Sequence, residues 1–142
     1  METSAVRRRV QAAMAAARER ARQRRARVDE ADKIYGDFLE RVAAPVARQI
    51  AQALKAENYP FTVSTPGRGV RLSFEHGRDD YVELGLQTGT DEPQLVGRIR
   101  RTRGSHTIDE ELPVKPGTPP QDLSEEDVLE FLMRALEPWL ER

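Results

Sequence analysis

The stretch from Ser4 to about Asn58 constrains this chain most, because no strand or turn signal interrupts a helical pattern over that length. Val10, Met14, Ala17, Ala21, Arg24, Val28, Ala31, Tyr35, Phe38 and Val42 recur at alternating steps of four and three, and only Arg24 is polar. Such spacing sets a narrow apolar seam on one helix face, the pattern of a coiled coil. From Ile34 the step becomes four, through Phe38, Val42, Val46, Ile50 and Leu54, a broader aliphatic stripe suited to a globular core. The segment thus carries two kinds of surface. Residues 1–30 read as a projecting basic helical arm, and 31–142 as a single α+β domain. Val10, Met14, Ala17, Ala21, Val28, Ala31 and Tyr35 are the candidates for self-association.

Charge separates the same two regions. Residues 1–28 hold nine arginines against Glu2 and Glu19, giving +7 within a chain whose net charge is -1. Residues 104–142 hold three basic residues against ten acids, giving -7. A basic arm on an otherwise acidic chain seeks an anionic partner: nucleic acid, a membrane surface or the acidic end of a second copy. Asp29 followed by Asp32 could start a new helix, but no Gly or Pro lies there and the heptad runs through, so a continuous helix is expected. Pro45 withholds a backbone donor and crowds the carbonyl of Arg41, which predicts a kink.

After Asn58-Tyr59-Pro60 the period changes to two. Phe61–Ser64 is a short β-prone run. Val70, Leu72 and Phe74 alternate with polar residues, as do Val82, Leu84 and Leu86, while Leu95 and Ile99 share a face with Gly97. Thr107-Ile108 begins a shorter fifth strand. Turn-rich connections of hairpin length separate these runs, including one over Thr88–Pro93. The expected sheet is a four- to five-stranded antiparallel meander with one apolar and one wet face. Glu111–Gln121 holds four prolines and reads as a loop. Ser124 then caps a final helix whose apolar face is Val128, Leu129, Leu132, Leu136 and Leu140, broadened by Phe131, Met133 and Trp139. This helix and the Ile34–Leu54 stripe are expected to cover the apolar sheet face.

Chemistry is sparse. There is no cysteine, which excludes disulfides and thiolate catalysis. His76, Asp79 and Asp80 share one turn, but their spacing matches no metal signature, and neither His76 nor His106 belongs to a catalytic constellation. Pro66-Gly67-Arg68-Gly69 lacks the spacing of a phosphate loop. No metal or cofactor is expected, and an enzyme is the less favoured class. The sequence favours a non-catalytic interaction or regulatory module that self-associates through the long helix, in a cytoplasmic setting without a membrane span. Its rival is a nucleic-acid-binding protein. That reading draws on Arg7, Arg8, Arg9, Arg18, Arg22 and Arg25 of the arm, and on Arg98, Arg100, Arg101 and Arg103 of one hairpin. No aromatic residue lies in either basic patch, so base stacking is not indicated.

Overall fold

The computed structural model describes residues 1–87 and 93–141. The turn expected over Thr88–Glu92 lies outside the described residues. The chain divides into two units, Met1–Lys33 and Ile34–Arg142. Helix α1 spans Thr3–Phe38 without interruption at Asp29, as the unbroken heptad and the absence of Gly or Pro there imply. The mixed α+β class, the meander and the terminal helix are all present.

A π-helical turn, Leu39–Ala43, separates α1 from α2, Ala44–Ala56, with Pro45 in the first turn of α2. The irregularity expected from Pro45 is therefore placed just ahead of it. The Ala44 amide donates to the Leu39 carbonyl, five residues back. Widening the preceding turn brings Pro45 to a helix start, where its missing N–H leaves no gap.

Five strands follow: β1 Phe61–Ser64, β2 Val70–Phe74, β3 Tyr81–Gln87, β4 Gln94–Arg103 and β5 His106–Pro113. They pair antiparallel in the order β1-β2-β3-β4-β5. The fifth strand is longer than the sequence suggested and takes in Glu111, Leu112 and Pro113, which read as the start of the loop. The register explains it. Asp109 lies opposite Arg100, and Glu111 opposite Arg98. Opposite charges facing one another favour strand pairing. The last helix, α3, spans Glu125–Leu140 and runs through Pro138. Ser124 Oγ accepts from the Asp127 amide, while the Asp127 carboxylate accepts from the Ser124 amide. These bonds, with Lys115 nearby, hold the Asp127 carboxyl below its usual range.

The core lies between the sheet and α2 and α3. Val70, Leu72, Val82, Leu84 and Leu95 are buried from the sheet, with Val128, Leu132, Leu136 and Trp139 from α3. From α2, Ala47 and Ala51 allow close approach beside Val46, Ile50 and Leu54. Gly97 marks the tightest crossing: a Cβ there would sit 2.2 Å from Phe131 Cζ. Replacing Gly97 with Ala is expected to displace the Phe131 ring at a cost of about 1–3 kcal/mol. Thermal unfolding of G97A checks this, and an unchanged midpoint would show that the ring relocates freely.

Candidate functional site

Within residues 1–33 the side chains are largely exposed. Val6, Val10, Met14 and Val28 are 43–52% exposed, an unusual concentration of large apolar groups on a solvated helix. Val6 was missed in sequence because it precedes the heptad register. Ala17 is exposed, while Ala21 and Ala31 are half-buried. Tyr35 differs from the rest of the seam: it is 2% exposed, belongs to the hydrophobic core, and donates its hydroxyl to the Arg68 carbonyl. It is thus a core residue.

The arm's arginines keep their charge available. Arg22 pairs with Glu19 at 3.0 Å, and Arg8 Nε donates to the Ser4 carbonyl at 3.4 Å. Arg7, Arg9, Arg18 and Arg25 are exposed. The hairpin arginines divide two and two. Arg98 and Arg100 lie on the open sheet face, where Arg98 meets Glu111 at 3.3 Å and Arg100 meets Asp109 at 2.8 Å. The Asp109 hydrogen bond raises the Arg100 pKa above its ordinary value. On the same face Arg71 pairs with Glu83 at 3.4 Å, and its guanidinium lies 4.1 Å from the Tyr81 ring centroid. Each of these three cations is therefore already matched by a carboxylate. Arg101 and Arg103 face the α3 side, lining a polar cleft with Arg134, Glu137 and Glu141. Strand alternation in the sequence already sets Arg98 and Arg100 on one face, pointing away from the core.

The His76 turn assembles no joint site. His76 is exposed and stands edge-on to Phe74, with ring centroids 5.8 Å apart. Asp79 adopts φ +54°. Asp80 turns inward, where its carboxylate accepts from the Thr102 amide at 2.9 Å and from Trp139 Nε1 at 3.1 Å. A carboxylate that ties α3 to the sheet is structural.

Two apolar hollows flank α3. One of about 430 Å³ lies beside β5, with Leu112, Val114 and Phe131 in its lining and Arg101, Glu110 and Arg134 around them. The other, of about 390 Å³, is a groove between α2 and α3, lined by Val46, Ile50, Leu54, Leu129 and Met133 with Glu57, Glu125 and Glu126. Leu129 and Met133 were legible as part of α3's apolar arc, but that arc is wider than the sheet covers. Among the described residues there is no group of three His, Asp or Glu side chains placed to hold a metal, and no helix long and apolar enough to cross a membrane. Comparison with family models, curated proteins and solved structures finds no match.

Proposed function

We propose that this chain is a non-catalytic interaction module of the cytoplasm that self-associates through its N-terminal helix. The observation that carries the reading is the exposed apolar row Val6, Val10, Met14 and Val28 on a helix otherwise covered by arginine and alanine. Fully burying one such side chain is worth about 1.5–3 kcal/mol, so a half-exposed row is a reservoir of association energy. Sedimentation equilibrium tests this. The wild type is expected to associate at micromolar concentration, and Val10→Glu with Met14→Glu to weaken association by at least about tenfold, the effect of losing ~1.4 kcal/mol of contact. A wild type that stays monomeric at those concentrations would remove the proposal.

The exposed arginines support a second reading, electrostatic binding of nucleic acid. It would rest on phosphate contacts alone, since Tyr35 and Phe38 are buried and no aromatic residue precedes them. Each phosphate neutralised adds about 0.9 to the salt slope of duplex binding. Removing residues 1–28 is then expected to abolish duplex binding at low salt, and absence of binding by the intact protein would exclude it.

A further inference from the structure

We infer that the groove between α2 and α3 is the receptor for the arm of a second copy of this chain, so that self-association is arm-to-groove and not arm-to-arm. The inference rests on the self-association proposed above and names its counter-surface. Three observations lead to it.

First, the groove is apolar where the arm is apolar. Leu129 and Met133 are 37% and 39% exposed, one helical turn apart, over a floor of Ile50 and Leu54. Val6, Val10 and Met14 repeat at the same one-turn spacing along α1. Second, the charges are complementary. Glu57 at the end of α2 and Glu125 and Glu126 in the first turn of α3 border the groove, and all three are exposed. At about 100° per residue, Arg7 and Arg9 fall on opposite sides of the Val6–Val10–Met14 row. An arm laid with its apolar row in the groove therefore turns arginines toward acids on the rim. Third, the alternative is electrostatically poor. Two arms paired side by side would each bring a charge of +7, with Ala17, Ala21 and Ala31 supplying three of the seven seam positions from Val10 to Ala31. Like charges at short range disfavour that pairing and small knobs do little to offset it.

The salt response follows. Attraction between basic arm and acidic rim is screened as the Debye length falls from about 14 Å at 0.05 M to about 4 Å at 0.5 M salt, so arm-to-groove association weakens over that range. Arm-to-arm association would strengthen, because screening relieves repulsion.

The decisive experiment uses two full-length variants. Leu129→Glu with Met133→Glu disables the groove at exposed positions. Val10→Glu with Met14→Glu disables the arm. Each alone is expected to lose association by at least about tenfold. Mixed in equal amounts they retain one intact arm and one intact groove, so a heterodimer is expected by sedimentation velocity. Circular dichroism establishes that both variants fold. Should the groove variant not fold, Glu57→Lys with Glu126→Lys replaces it, with the loss expected to be larger at 0.05 M than at 0.5 M salt. A folded groove variant that associates like the wild type, or a mixture that stays monomeric, would overturn arm-to-groove docking while leaving self-association in place. A monomeric wild type would overturn both. An arm variant that alone associates normally would overturn the arm's role.

Discussion

Replacing Trp139 with Ala is expected to destabilise the protein by about 4–8 kcal/mol. Two independent effects add. The indole is 1% exposed and packs edge-on against Phe61, with ring centroids 5.9 Å apart. Truncating a buried tryptophan costs about 3–5 kcal/mol through lost burial and the cavity left behind. The indole N–H also donates to Asp80, which is 2% exposed. Removing that donor costs a hydrogen bond to a charged acceptor, about 1–3 kcal/mol. Trp139→Phe separates the two, since it keeps most of the apolar volume and loses only the donor, and is expected to cost about 2 kcal/mol. Urea unfolding of the three proteins provides the measurement. Equal losses for Phe and Ala would show that the hydrogen bond dominates, and no loss for Phe that the carboxylate finds another donor. Gly77 bears on the same site: a Cβ there would lie 2.8 Å from Asp80 Cβ, so its lack of a side chain makes room for the inward turn.

What the sequence made legible follows from which signals are local. The long helix was readable because its residues from Thr3 to Tyr35, rich in Ala and Arg, run without Gly or Pro. The meander was readable because period-two alternation and hairpin-length turns are both short-range. The end of β5 was not, because Asp109-Glu110-Glu111 looks like a solvated run until Arg98 and Arg100 are known to lie opposite. Gly97 could be placed on the covered face, yet nothing in the sequence says that Phe131 lands on it. Asp79 and Asp80 are neighbours with opposite fates, and only the positive φ of Asp79 and the arrival of Trp139 from 59 residues away distinguish them. Tyr35 belongs to the heptad and not to the Ile34–Leu54 stripe, and nothing local says that the fold buries it. The groove escaped for the same reason. An apolar arc reveals its width in sequence, but how much of it the fold covers is a tertiary property.

Tyr35 supplies the second large effect, visible at high pH. Burial pushes its phenol up to about 12 from 10.0, with the Arg68 charge pulling it down somewhat and the Glu83 charge pushing it further up. In the unfolded chain the phenol ionises near 10. Between about pH 10 and 12 the unfolded state therefore binds fewer protons than the folded state, and stability falls as pH rises. The contribution is complete below about pH 10 and is lost through about pH 12, with roughly 2 kcal/mol gone by pH ~11.5. Tyr35→Phe has no proton to lose. At pH ~8 it forfeits the hydrogen bond to the Arg68 carbonyl and is expected to be about 1 kcal/mol less stable than wild type. By pH ~11.5 the order is expected to reverse, with the variant about 1 kcal/mol more stable. Every other titrating group is common to the two proteins, so the difference between their denaturant midpoints isolates this phenol. A difference that stays constant from pH ~8 to ~11.5 would mean that the folded hydroxyl ionises as freely as the unfolded one, and that Tyr35 lies outside the core.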